Sequence, residues 1–355
     1  MEKQRILWLD YAKLIGLYFV ILGHVEMSTG FLAAWIYSFH MPLFFIISGF
    51  TEKKNETFSM MIKKGARTLL VPYFCFYLVT YVWWLFIFYM KNGQFHLMTA
   101  SDFLIKPMIG LIIADASPGS FFTMINIPLW FLVGLFFCKM FFHLGMKKIG
   151  FYNKSISLIV LNVLAFLFVF IFSQFDYNIL FSIDVAIMAI PFYSLGYVLS
   201  KVYKDFANKK VIIVLTLLIL LTLNFFLSSV NGNVDMATFK YGNNLYLFYV
   251  TGMIGAMGIL VFCHLFSAVK NKFALLLASN TLIMLAIHGS LTSIVKQLYG
   301  FIRGYNNPED MLFSYFDAII IAIMVLLLSI IPILVIQKYF PFMIGKKIDP
   351  NKVMR

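Results

Sequence analysis

The sequence predicts an all-α, polytopic integral membrane protein with about ten transmembrane helices, N-in and C-in. Three observations carry this reading. The 355-residue chain is 62% hydrophobic and only 12% charged, with mean hydropathy +0.90, far from the composition of a soluble domain. Apolar runs of about 20 residues, the length needed to cross a hydrocarbon core, recur along the whole chain. Basic residues cluster on one side of the resulting helices.

Taken in order, the runs place spans at 7–27, 33–51, 67–90, 126–145, 155–173, 179–200, 210–229, 244–267, 274–298 and 314–340. The first follows Lys3 and Arg5 and lacks a small-residue cleavage site, so it reads as a retained helix. Loops are short except 91–125, which carries Gly93, Pro107, Pro118 and Gly119. Within that loop FLIKPMIGLIIAD (103–115) is apolar but too brief to span, and it is expected to lie at the interface or to re-enter. In the eighth span GMIGAMG (252–258) spaces Gly252, Gly255 and Gly258 by three. That is a stripe for close helix packing, because a phosphate loop would need a strand before it. No polar stretch has room for a soluble domain, and the chain reads as one membrane-embedded domain, 1–355.

Of the 28 basic residues, only Lys91, Lys106, Lys240, Lys296 and Arg303 fall on the outer side of that arrangement. The net charge of +13 is therefore orientation signal and lipid-headgroup contact rather than a surface for nucleic acid. Membrane lipids are expected partners, and the cytoplasmic (inner) membrane is the expected location of this multi-pass chain. Cys75, Cys138 and Cys263 lie inside apolar runs without CxxC or metal spacing, so they read as small buried hydrophobes and no metal is expected.

The chemistry concentrates in ILWLDYAKLIGLYFVILGHVE (6–26). Lys13 and His24 are eleven residues apart, which puts them within about 20° of one helix face and about 16 Å apart along the axis. Asp10, three residues before Lys13, can pair with it. An ionisable group inside a span is a site hypothesis by default, and an imidazole suits general-base work. Asp10, Lys13 and His24 are thus the catalytic candidates. His40 opens the second run on the same side as His24. Glu26 could partner His24, although a solvated loop acid is the plainer reading. On the outer side, Tyr37, Trp83 and Trp84 read most plainly as an interfacial aromatic belt.

LDYAKLIGLYFVILGH followed by SFHMPLFFIISGF resembles the acyltransferase family 3 membrane proteins, closest to their fucose 4-O-acetylase-like branch. In that family the first helix carries a basic residue, ten intervening residues and a histidine, and here Lys13 stands where the family often has arginine. KKGARTLLVPYF (63–74) resembles the family's cytoplasmic basic pair before Pro-Tyr, with Lys64 where arginine is common. PLWFLVGLF (128–136), IPFYSLGYVLSK (190–201) and ASNTLIMLAIHGSL (278–291) resemble three later signatures, so the resemblance covers nearly the whole chain.

The resemblance implies transfer of an acyl group, usually acetyl from acetyl-CoA, to a hydroxyl of a carbohydrate acceptor, free, lipid-linked or polymeric. Lys63, Lys64 and Arg67 would then hold the coenzyme A phosphates; spacing alone favours a positive-inside anchor for them. His24 would deprotonate the acceptor hydroxyl, with an acyl-histidine intermediate as the alternative. Lys13 and Asp10 would orient that stripe or contact the coenzyme arm. His40, Glu26, Trp130, Asp184 and His288 are the substrate-binding candidates. The rival class is a transporter or flippase for lipid-linked sugars, which would also use intramembrane Asp, Lys and His. Such proteins commonly show internally related halves with broken helices, and the sequence shows none.

Overall fold

The computed structural model describes residues 6–25, 30–53, 56–93, 99, 101–116, 124–148, 153–175, 180–202, 210–266, 268–305 and 313–346. Ten helices within these residues are long and apolar enough to cross a membrane. They are α1 (Leu7–His24), α2 (Phe31–Phe50), α3 (Phe58–Met90), α4 (Ile127–Lys147) and α5 (Lys154–Phe172). After them come α6 (Ile183–Val202), α7 (Ile213–Asn231), α8 (Leu245–Leu265), α9 (Thr281–Ile302) and α10 (Tyr315–Tyr339). Among the described residues the only β-type pairing is an isolated bridge, Asp235 with Lys240. Each expected span has its helix, because lipid leaves a backbone no other way to satisfy its polar groups. One end of the bundle carries His24; the other carries Arg67.

The structure departs from the expected boundaries in three places. The third helix begins at Phe58, nine residues before the expected 67. Its start is Phe58–Gly65, capped by the Thr57 side chain, which accepts from the Met60 amide, followed by a π-helical turn, Ala66–Leu70. Hydropathy hides this opening because it carries Lys63, Lys64 and Arg67. The widened turn directly precedes Val71-Pro72, where a proline ring and a missing N–H disfavour regular α-geometry. The ninth span begins at Thr281 rather than 274, with Lys272–Ala278 as a separate short helix before it. The tenth is broken at Ser329, three residues before Pro332.

The segment left open between interface and re-entry packs lengthwise along α3. Tyr73, Tyr77 and Tyr81 share one face of that helix, and their hydroxyls donate to Leu111 O (2.6 Å), Pro107 O (2.7 Å) and Phe103 O (2.6 Å). As the tyrosines climb the helix by eight residues, the carbonyls descend by eight, so the two elements run antiparallel over about 12 Å. Carbonyls of so short a helix would otherwise be stranded in lipid. The chain then returns, with the Met124 amide donating to Asp115 O at 2.9 Å, and enters α4.

Helices α2 and α6 approach backbone to backbone. A Cβ at Gly49 would lie 2.0 Å from Tyr193 O, and one at Gly196 would lie 1.9 Å from Ile46 O. Neither glycine can carry a side chain without parting the two helices. Gly196→Ala is expected to destabilise the fold by about 3 kcal/mol or more, read as a lower thermal unfolding temperature in detergent; an unchanged transition would refute backbone-to-backbone contact here. The α8 stripe packs in the same manner, with Gly252 against Phe192 and Pro42, Gly255 against Phe39 and Asn224, and Gly258 against Leu221. Helix α1 sits inside the bundle, flanked by α2, α8, α9 and α10, which leaves its two ends to reach the two faces.

Candidate active site

Helix α1 ends at His24, and its imidazole opens into a cavity of about 640 Å³. Trp83, Trp84 and Ile87 of α3 form one wall. Ser290, Thr292, Ser293, Lys296 and Gln297 of α9 form the facing wall, and His288 stands beside His24. The two imidazole centroids are 5.2 Å apart, with the rings tilted by 40°. Lys296 is the only lysine, arginine or acidic residue among the described lining residues.

His288 is buried, and its Nδ1 lies 2.7 Å from Leu285 O. A carbonyl can only accept, so Nδ1 carries the hydrogen and Nε2 carries a lone pair. That Nε2 is buried without a hydrogen-bond partner among the described residues. His40 follows the same local rule, with Nδ1 at 2.9 Å from Ile36 O. Its ring stands 4.9 Å from the Tyr37 ring, which in turn lies edge-on to His24 at 6.4 Å. His40 therefore supports the site from behind Tyr37 and is not among the cavity-lining residues.

Two cavity features carried no local signal. Asn126 Nδ2 donates to Thr80 Oγ1 (2.9 Å) and to Ala286 O (2.8 Å), tying the approach to α4 onto α3 and α9. Asp235, in the loop after α7, is not itself a lining residue, and its charge acts on the His24 imidazole in the opposite sense to that of Lys296. Its carboxylate accepts from the Ala237 amide and the Thr238 hydroxyl, each at 3.0 Å.

At the opposite end Lys63, Lys64 and Arg67 are exposed. Lys64 Nζ is 3.4 Å from Glu56 Oε1, and the other Glu56 oxygen is buried without a partner among the described residues. Arg67 makes no hydrogen bond or ion pair among the described residues. Lys13 and Asp10 pair at 3.1 Å, as their spacing leads one to expect. Between Lys13 and His24 the shared face of α1 is filled: Leu17 is 0% and Val20 2% exposed.

A row of partly exposed side chains lies on α2 instead. Tyr37, Phe44 and Ser48 share one face, since 37 and 48 are eleven residues apart, and all three stay partly exposed while 38–43 and 45–47 are buried. The Phe44 ring packs toward Gly16 of α1 and stands 5.7 Å from the Phe131 ring of α4, so this face looks into the bundle. At the inner end of that face the Tyr193 hydroxyl donates to Glu52, itself paired with Lys139 at 3.0 Å.

A family model described as an acyltransferase domain, that of acyltransferase family 3, matches residues 6–337. The chain belongs to this family. It is a multi-pass membrane acyltransferase, and neither a characterised protein nor a solved structure matches it.

The remaining expected residues of the acyltransferase stand apart from its cavity. Asp184 is 2% exposed, accepts from the Val185 amide at 2.8 Å in the first turn of α6, and packs where that turn meets α4 and α5. An acid there meets the positive end of its own helix, and it does not line the cavity. Trp130 is also buried, edge-on to Phe131 at 6.1 Å, two residues past the cavity-lining Pro128. Glu26 lies outside the described residues. Trp83 and Trp84, for which an interfacial belt was the plainer reading, both line the acyltransferase cavity.

Proposed function

We propose that this acyltransferase moves an acetyl group from cytoplasmic acetyl-CoA to a hydroxyl of a cell-envelope or exported carbohydrate, in the cytoplasmic membrane with both termini inside. The observation that carries the reading is the His24 cavity, with indoles on one wall and hydroxyl, amide and ammonium groups on the other. A sugar ring presents an apolar face to an aromatic side chain and its hydroxyls to polar partners, which suits such a pair of walls. The likeness of the N-terminal motif to the fucose 4-O-acetylase-like branch supports the same acceptor class.

In this reading the acceptor oxygen attacks the thioester carbonyl carbon while its proton passes to the His24 imidazole. The carbon–sulfur bond then breaks, and coenzyme A leaves as the thiolate. The polyanionic nucleotide end of the donor stays at Lys63, Lys64 and Arg67. The pantetheine arm follows the partly open face of Ser48, Phe44 and Tyr37, since Leu17 and Val20 fill the direct stripe on α1. Lys13, held by Asp10, supplies a cation near the entrance of that path.

The test is reconstitution in vesicles with acetyl-labelled acetyl-CoA and envelope glycan. Label on glycan hydroxyls is the expected result. No label on any hydroxyl acceptor, together with rapid transbilayer movement of a glycolipid in the absence of acetyl-CoA, would replace this reading with that of a sugar-lipid transporter.

A further inference from the structure

Two buried polar atoms on consecutive turns of α9 lack hydrogen-bond partners among the described residues: His288 Nε2 and Thr292 Oγ1. Both residues line the His24 cavity. A single such atom in a native fold calls for an explanation, and two facing one cavity within a membrane span call for a ligand. The His288 atom is chemically specific. With Nδ1–H committed to Leu285 O, Nε2 can only accept, so its partner must bring a hydrogen. His24 stands 5.2 Å away by ring centroids, which leaves one imidazole for the reacting hydroxyl and a second for its neighbour.

We propose that the acceptor is a vicinal diol: one hydroxyl is acylated at His24 while the hydroxyl on the adjacent carbon donates to His288 Nε2. This inference rests on the acyltransfer reading above and adds the class of acceptor it takes. Hydroxyls on neighbouring ring carbons lie within hydrogen-bonding distance of one another, which matches two imidazole edges facing a shared space. Thr292 Oγ1, one helical turn further along α9, takes a further polar group of the same sugar. His288 is then a specificity-determining residue. It discriminates because an acceptor lacking the second hydroxyl leaves Nε2 buried and unpaired.

The experiment compares methyl glycosides bearing two free adjacent hydroxyls with analogues in which one of the pair is removed or O-methylated. Acetyl transfer from acetyl-CoA is measured with the purified full-length protein. Wild type is expected to prefer the diol by roughly 10- to 100-fold in kcat/KM. His288→Leu is expected to bring that ratio close to one. His288→Gln, whose amide oxygen can still accept, is expected to keep part of it. Thermal unfolding reports whether each variant is folded, and the glutamine variant decides if the leucine variant is not.

Equal use of diol and deoxy acceptors by wild type overturns the proposal without touching the acyltransferase reading. So does a His288 variant that loses rate with an unchanged ratio, which would assign the residue to packing. Absence of acetyl transfer to every acceptor removes the parent reading and this inference together.

Discussion

His24→Ala abolishes acyl transfer and leaves a folded protein: that is the largest effect expected of any single change at the site. Loss of a positioned proton acceptor lowers such rates roughly 100- to 10,000-fold. The imidazole is open to the cavity at the last residue of α1, so its truncation removes no packed core volume. Stability should therefore stay within about 0.5 kcal/mol of wild type. The pair of measurements that matters is acetyl transfer and thermal unfolding on the same preparation. Retained transfer by a well-folded variant would take His24 out of the reaction and hand the proton to His288, the other imidazole among the described lining residues. Loss of both folding and transfer would mean that the ring is structural.

How much of this was legible in the sequence depends on whether a feature is local. All ten spans were, because length and apolarity are what lipid demands of a helix. The Asp10–Lys13 pair and the shared face of Lys13 and His24 were too, since both follow from helical spacing alone. Tyr73, Tyr77 and Tyr81 repeat every four residues, a stripe that marks one buried face of α3, yet nothing local says that carbonyls 103, 107 and 111 will meet it. The beginning of α3 was missed because hydropathy treats a basic amphipathic turn as loop.

The cavity itself was mostly hidden. His24 and His288 lie 264 positions apart, and Asn126 and Asp235 reach the site from loops, so only the folded chain brings them together. Asp184 and Trp130 show the converse. Residue type made them candidates, and the fold buries both away from the lining of the cavity. The α2 face of Tyr37, Phe44 and Ser48 has the same eleven-residue spacing as Lys13 and His24. It escaped notice because phenylalanine and serine in an apolar run carry no signal of a partly open face.

The second large effect is expected at the other end of the bundle. If acetyl-CoA is the donor, it binds only the folded state and should raise the thermal unfolding temperature of the detergent-purified protein by mass action. Arg67→Ala should weaken that stabilisation most, equivalent to roughly a 10- to 100-fold loss of affinity. The ranking follows from the surroundings. Lys64 already spends part of its charge on Glu56, whereas Arg67 is exposed on the widened turn before Pro72 with its guanidinium uncommitted among the described residues. Arg67→Lys should restore only part of the effect, because an ammonium lacks the planar fork that grips a phosphate through two bonds. Raising the salt concentration should erode the wild-type stabilisation as well, since these charges face solvent. Adenosine 3′,5′-bisphosphate, which carries the phosphates without the acyl arm, should compete in wild type and fail to compete in Arg67→Ala. If acetyl-CoA stabilises the alanine variant as well as it does wild type, the basic cluster is an orientation anchor, and the donor's phosphates are held elsewhere, with Lys13 the next residue to replace.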